Sequence, residues 1–308
     1  MKKITEILKI KYPIIQGAMA SISTHELVAA VSNAGGLGVL AASMGDPNWV
    51  RDEIRKTKAL TDKPFAVNVL LLSPYAKDIA KIVIEEGVKI VTTGGGNPQP
   101  YMEDWKKAGI IVIPVIPSVA LAIRMERSGA DMVIAEGREA GGHIGPSSTF
   151  SLIPQVVKAV NIPVIAAGGI GNYQGVAAAL ALGAKGVQAG TVFLASIECP
   201  IHQNYKELIL KAKDNSTVVT GKGKTEVRIL KNKLSTTYLE MLNNGASFEE
   251  LEALTKGSLY KAIVDGNLDE GSFMAGEIAG LIDEIKPVKK IIEDLILPVN
   301  DYLKTLKI

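Results

Sequence analysis

The chain has 308 residues, of which 47% are hydrophobic and 21% charged, a composition that predicts a globular protein with a sizeable core. Its formal net charge of +2 and its 5% aromatic content argue against nucleic-acid binding, which uses a basic face or base-stacking rings. The single cysteine, Cys199, excludes an internal disulfide framework and a thiolate zinc cluster, and we expect no metal centre.

The longest apolar stretch, residues 110–123, contains two prolines and is too short to span a bilayer. The N-terminal residues lack the long apolar region of a signal peptide. We therefore expect a cytoplasmic protein that does not associate with membranes.

Short apolar runs alternate with helical patterns from residue 12 onwards. The runs lie at 12–15, 37–42, 65–70, 88–91, 110–115, 131–135, 163–167 and 185–189. Most are continuously apolar, which is typical of strands that are buried on both faces of a parallel sheet. The helical patterns lie at 24–33, 47–59, 74–86, 100–108, 118–128, 149–160 and 173–182. Four of these helices are expected to end at Gly87, Gly109, Gly129 and Gly183.

This alternation predicts an α/β protein built on a closed (β/α)8 TIM barrel. A doubly wound open sheet is the competing architecture, but it usually carries its glycine fingerprint after the first strand. Here the glycines cluster after the sixth, seventh and eighth strands, which favours the barrel.

The pattern changes after Cys199. Helical segments at 205–212, 236–243, 247–255 and 257–264, with no further βα repeat, predict a small, mainly helical lid inserted at residues 201–270. The barrel would then comprise residues 1–200 plus 271–308, with a last helix at 287–297 packed against it.

The predicted lid carries an excess of five positive charges between residues 206 and 233. Its basic residues are Lys206, Lys211, Lys213, Lys222, Lys224, Arg228, Lys231 and Lys233, and its acidic residues are Glu207, Asp214 and Glu226. Such a stretch is either a solvated face or a docking surface for an acidic partner or a nucleotide phosphate.

Several loops at the predicted carboxyl rim suggest a binding site. Gly141 and Gly142 allow close approach of the backbone, and His143 follows them, although a plain turn with a solvated histidine is the alternative. The loops with Gly168 and Gly169 after the seventh strand, and with Gly190 and Thr191 after the eighth, form a predicted cradle for one phosphate.

The first and third strands add residues to the same rim. Met19 follows the first strand, and the Asn68 amide interrupts an apolar strand, where the edge of a polar ring would satisfy it. A planar cofactor with one phosphate fits these residues, which leaves flavin mononucleotide (FMN) or pyridoxal phosphate. Pyridoxal phosphate needs a Schiff-base lysine, whereas Lys89 and Lys185 lie at strand starts on the wrong face, so FMN is favoured.

Four motifs carry a resemblance to a known superfamily: EGREAGGHIG at 136–145, AAGGI at 166–170, QAGT at 188–191 and GSFMAG at 271–276. They resemble the nitronate monooxygenase / 2-nitropropane dioxygenase superfamily and, within it, flavin-dependent enoyl-acyl-carrier-protein reductase II. Typical nitronate monooxygenases carry glutamine at the position of Glu136, and often arginine at the position of Ile144. Both departures favour the reductase.

The resemblance implies FMN-dependent, NADH- or NADPH-consuming reduction of trans-2-enoyl-acyl-carrier-protein in fatty acid elongation. It implies His143 as the catalytic residue, the acidic acyl carrier protein as partner, a homodimer and a monovalent cation. The implied cofactor-binding residues are Met19, Asn68, Glu136, Gly141, Gly142, Gly168, Gly169, Gln188, Gly190 and Thr191. The alternatives are oxidation of alkyl nitronates with O₂ and a non-redox barrel that binds a sugar phosphate.

Overall fold

A closed parallel sheet forms the centre of the molecule. The computed structural model describes residues 3–42, 46–221 and 225–306. The strands of its first two thirds are β1 (Ile14–Gln16), β2 (Gly38–Ala41), β3 (Phe65–Leu70), β4 (Ile90–Gly94), β5 (Ile111–Ile116), β6 (Val133–Glu136), β7 (Gly142–His143), β8 (Val164–Ala167) and β9 (Gly186–Ala189).

All of these strands except β7 pair in parallel, in the order β1–β9–β8–β6–β5–β4–β3–β2. A bridge between Ile15 of β1 and Leu37, the residue before β2, joins the two ends of this order. The predicted (β/α)8 TIM barrel is therefore confirmed. The doubly wound alternative is wrong, because an open sheet would leave its edge strands unjoined.

Of the helices that the structure describes up to residue 194, seven lie at the predicted places, whereas the first and the last were not predicted. They are α1 (Ile4–Leu8), α2 (His25–Asn33), α3 (Pro47–Leu60), α4 (Ala76–Glu85), α5 (Gln99–Lys107), α6 (Val119–Arg127), α7 (Thr149–Ala159), α8 (Tyr173–Ala181) and α9 (Thr191–Leu194). Gly87, Gly109, Gly129 and Gly183 follow four of them with φ between 63° and 100°, the left-handed conformation that the predicted glycine ends require.

The interior of the barrel is closed at its amino end by α1, which the sequence pattern did not predict. Ile4 and Leu8 of α1 belong to the same buried cluster as Ile134 and Ile165 of the strands. Gly186 at the start of β9 makes room for this helix, since a Cβ there would lie 2.3 Å from Ile4 Cδ1. The carboxyl ends of the strands thus form the mouth of the barrel.

The segment after α9 contains helices and a β-hairpin. Its elements are α10 (Gln203–Leu210), β10 (Thr217–Thr220), β11 (Val227–Leu230), α11 (Lys233–Asn243), α12 (Phe248–Thr255) and α13 (Ser258–Ile263). The four helices agree with prediction, but the hairpin was missed. Its strand β11 pairs antiparallel with β7 of the barrel loop, so the stabilising partner lies far away in the sequence.

The segment shares its core with the barrel. Tyr205, Ile209 and Ile263 belong to the same buried cluster as Ile14 of β1. The division into a barrel of residues 1–200 plus 271–308 and a lid of residues 201–270 stays a prediction.

The chain ends with a 3-10 helix (Glu277–Leu281), α14 (Val288–Ile296) and α15 (Val299–Thr305), and α14 and α15 contact α8. Each helix in the described part of the chain is too short or too polar to cross a membrane.

Candidate functional site

The mouth of the barrel carries a layer of polar side chains. Side chains alternate along a strand, so Asn68, Thr92 and Glu136 continue the inward-facing rows that begin with Ala66, Ile90 and Ile134 in the apolar interior. Gln188 of β9 lies beside Ala167, another interior residue. Polar groups thus replace apolar ones where the barrel opens.

Half of the side chains in this polar layer have no partner among the described residues. Asn68 Nδ2 donates to Thr92 Oγ1 at 2.9 Å. Among the described residues, nothing donates to Asn68 Oδ1, and the Glu136 carboxyl and the Gln188 amide form no hydrogen bond. Gln188 is only 7% exposed. Every fully buried side-chain N or O atom among the described residues has a partner, so the unpartnered atoms of this layer are open to solvent, where the polar edge of a ligand can reach them.

Burial raises the pKa of Glu136 to about 7. The carboxyl group therefore changes between a neutral acid, which can donate a hydrogen bond, and a carboxylate near neutral pH. Removal of the carboxyl group from water accounts for this shift, because no cation pairs with the group among the described residues.

Two neighbouring loops form the predicted phosphate cradle. Gly168 and Gly169 follow β8 with φ of 87° and 71°, and Gly190 follows the adjacent strand β9. The main-chain N–H groups of Gly169 and Gly190 have no acceptor within the described ranges. The structure thus brings the two loops together with unused donors, as a phosphate site requires. Their role in binding stays a prediction.

The N-terminus of α7 is already filled by a protein carboxylate. Both Glu139 carboxylate oxygens accept from Thr149 N, at 3.0 and 2.9 Å, and one accepts from Thr149 Oγ1 at 3.0 Å. The sequence analysis missed Glu139, although an acidic residue in the loop before a predicted helix was the available signal. The cradle is therefore confined to the loops after β8 and β9.

Gly141 was expected to let a ligand approach the backbone, but the close approach comes from the protein itself. A Cβ at Gly141 would lie 2.6 Å from the carbonyl carbon of Ala275, and one at Gly276 would lie 2.7 Å from Glu139 O. Gly276 N donates to Thr191 Oγ1 at 2.9 Å. The GSFMAG motif thus locks the loop after β6 against the loop after β9.

Other predicted residues lie at the same mouth. A Cβ at Gly190 would lie 3.7 Å from Met19 Sδ, so the Met19 thioether adjoins the cradle. Gly142, with φ of 76°, and the exposed His143 form strand β7. Within the described ranges the His143 side chain has no hydrogen-bond partner, and its main chain pairs with Val227 of β11. The other predicted site residues lie on or after β1, β6, β8 and β9, which are neighbours in the sheet. Asn68 comes from β3, outside this group of strands.

The basic stretch is less exposed than the sequence suggests. Lys206 and Arg228 are each only 7% exposed, and Lys206 Nζ donates to Ser196 O at 2.6 Å. Burial lowers the pKa of both groups. These two cations therefore belong to the interior and are not available to a partner. Lys222 and Lys224 lie outside the described residues.

A separate group with metal-ligating side chains lies on the outer helices, where none was expected. His25 and Glu26 of α2 lie with Glu53 of α3, and their potential ligand atoms are within 4.8 Å of one another. His25 Nδ1 and its main-chain N–H both contact Glu53 Oε2, at 2.8 and 2.9 Å. The buried Glu53 carboxylate therefore has hydrogen-bond partners within the protein and does not need a metal ion to compensate its burial.

Comparisons with known proteins agree with this architecture. Residues 1–297 match the family model described as nitronate monooxygenase. FabK from Thermotoga maritima is 48% identical with a TM-score of 0.96, covering 99% of this chain and 98% of that one. Nitroalkane oxidase from Streptomyces ansochromogenes is 27% identical with a TM-score of 0.87, covering 99% of both chains.

Two curated relatives differ in the activity that their names state. A (3aS,4S,5R,7aS)-5-hydroxy-7a-methyl-1-oxo-octahydro-1H-indene-4-carboxyl-CoA dehydrogenase of Mycobacterium tuberculosis is 33% identical, over 98% of this chain and 97% of its own length. A probable nitronate monooxygenase of Staphylococcus saprophyticus is 41% identical, over 71% of this chain and 75% of its own.

Proposed function

The chain belongs to the nitronate monooxygenase family, and from this premise we propose that it is an FMN-dependent, NAD(P)H-consuming reductase of trans-2-enoyl-acyl-carrier-protein. As a member of this family it is a flavin-dependent oxidoreductase, which rules out the non-redox barrel considered above. The observation that carries the proposal is the 48% identity to FabK over 99% of the chain. The curated relative that acts on a carboxyl-CoA adds support for a thioester substrate.

The residues at the mouth fit a flavin. Its phosphate would be held by the open N–H groups of Gly169 and Gly190. Its polar ring edge would be held by Asn68 Oδ1 and by the unpartnered side chains of Glu136 and Gln188. A flavin bound there would supply two-electron redox chemistry between NADH or NADPH and Cβ of the enoyl thioester. The protein would hold the two reactants in register.

His143 is our candidate for the proton transfer. Its exposed imidazole lies on the loop that begins at Glu136, where it can protonate Cα or polarise the thioester carbonyl. A positioned general acid contributes roughly 10²- to 10⁴-fold to a rate. His143→Ala should therefore retain bound flavin and its reduction by NAD(P)H, but lose enoyl reduction by about that factor.

An anaerobic titration tests the proposal. The purified protein should show flavin absorbance, lose it on addition of NADH or NADPH, and regain it on addition of crotonyl thioester. The second candidate function, nitronate oxidation, is favoured by the 41% identical Staphylococcus relative. Bleaching by an alkyl nitronate, with no response to either nicotinamide cofactor, would replace the first proposal with the second.

The acidic carrier protein would dock on the exposed lysines of the 201–270 segment. Lys211 and Lys231 flank a cavity of about 170 Å³, lined also by Leu208 and Leu230. Lys231→Glu should weaken turnover of the carrier-protein substrate at low salt and leave a short enoyl-CoA unaffected. Lys158→Glu, at an exposed position of α7, is the matched control, and equal effects of both changes would contradict the dock.

Two further parts of the proposal have direct tests. A homodimer would appear in light scattering as twice the chain mass. A monovalent cation requirement would appear as faster turnover in potassium than in a bulky organic cation at equal ionic strength.

A further inference from the structure

The strand that carries His143 pairs with the hairpin and not with a strand of the barrel. Gly142 pairs with Arg228 and His143 with Val227, both on β11. Directly after them, Ile144 N donates to Glu226 O at 3.2 Å. Within the described residues β7 has no other strand partner, so the position of His143 depends on where β11 lies.

The Arg228 side chain ties together the segments around β7. Its Nε and Nη2 donate to Arg138 O at 3.3 and 3.2 Å, and Nη1 donates to Thr217 Oγ1 at 3.2 Å. Nη2 also pairs with Glu277 Oε1 at 2.9 Å. One guanidinium thus joins the loop before β7, the neighbouring strand β10 and the segment that follows the GSFMAG motif.

The chemistry of these contacts requires arginine. Arg228 is 7% exposed, and its planar fork serves three acceptors that point in different directions. A lysine ammonium could keep the charge opposite Glu277 but could not also reach Arg138 O and Thr217 Oγ1 with fixed geometry. Losing the fork would remove the donors that these three acceptors share and free the loop to shift.

We infer that Arg228 is a positioning residue for the proposed reduction, because it fixes the loop that presents His143 at the mouth of the barrel. This inference rests on the proposed function, in which His143 serves the enoyl half-reaction and not the reduction by NAD(P)H. Arg228 lies on β11, outside the unpartnered polar layer and the glycine cradle, so it need not affect retention of the cofactor.

The test compares holoenzyme variants in the two half-reactions by stopped flow. Arg228→Lys and Arg228→Met should slow the enoyl half-reaction by about 10- to 100-fold, the cost of a misplacement near 1 Å. Flavin content and the NAD(P)H half-reaction should equal those of the wild type. Arg55→Met, which removes a guanidinium that binds Glu86 on the outer helices, is the matched control and should change neither half-reaction.

A second readout follows His143 directly. The chain has three histidines, so imidazole NMR signals can be assigned with His143→Ala. The His143 signal should shift in Arg228→Lys while those of His25 and His202 stay in place. Glu277→Gln, which removes only the ion pair, gives a smaller shift in the same direction and serves if Arg228→Met does not fold.

Two results would overturn the inference. An unmoved His143 signal with an unchanged enoyl half-reaction in Arg228→Lys and Glu277→Gln removes the positioning role. A parallel fall of flavin content and both half-reactions assigns Arg228 to general stability alone. If the wild type does not react with an enoyl thioester, the proposed function fails, but the NMR signal still decides whether Arg228 positions His143.

Discussion

Replacing Glu136 with glutamine should stabilise the cofactor-free protein in a pH-dependent way. Burial raises the pKa of this carboxyl to about 7 from an ordinary value of 4.5. The folded protein therefore retains the proton over a pH range in which the unfolded chain has released it. For an acid with a raised pKa, this difference lowers stability as pH rises from 4.5 to 7.

The size of the effect follows from the two pKa values. The folded and unfolded pKa values of Glu136 differ by about 2.5 units. At 1.36 kcal/mol per unit, this difference lowers the free energy of unfolding by about 3 kcal/mol above pH 7. At pH 5 the loss is only about 1 kcal/mol, because most of the titration lies at higher pH. Glu136→Gln has a similar shape and no charge to bury, so it escapes both losses.

Urea unfolding of both cofactor-free proteins at pH 5 and pH 8 measures this difference. The gain in free energy of unfolding for Glu136→Gln should be larger by about 2 kcal/mol at pH 8 than at pH 5. Glu249→Gln, which removes an exposed carboxylate on α12, controls for the loss of one negative charge. A gain of equal size at both pH values, or a less stable variant at pH 8, would refute the argument.

Three further predictions concern the loops and core that support the site. Gly137→Ala should lower the free energy of unfolding by about 1–3 kcal/mol, because its Cβ would lie 2.0 Å from Thr149 Oγ1. An unchanged melting temperature would count against this tight packing. Tyr205→Phe should lower the free energy of unfolding in urea by about 1–3 kcal/mol, because the Tyr205 hydroxyl donates to Met274 O at 2.6 Å. An unchanged free energy would mean that a water molecule replaces the hydroxyl. Burial raises the pKa of Cys199 to about 12, so Ellman's reagent at pH 8 should label the unfolded chain only, and rapid labelling of the native protein would contradict its burial.

Local patterns in the sequence determined the barrel. Continuous apolar runs such as 163–167 can be buried only between two layers, and glycines such as Gly109 and Gly183 mark helix ends because they adopt positive φ. A barrel brings the carboxyl ends of its strands to one mouth, so the order of the elements sufficed to place Asn68, Gly169 and Gly190 on a common rim.

Only the tertiary structure decided what each rim residue faces. The sequence could not show that Glu139 fills the start of α7, that Gly141 accommodates Ala275, or that two cations of the basic stretch are buried. Nor did it reveal the β11–β7 pairing, in which the hairpin holds His143. These contacts join segments that lie far apart along the chain, and local periodicity carries no information about such pairs.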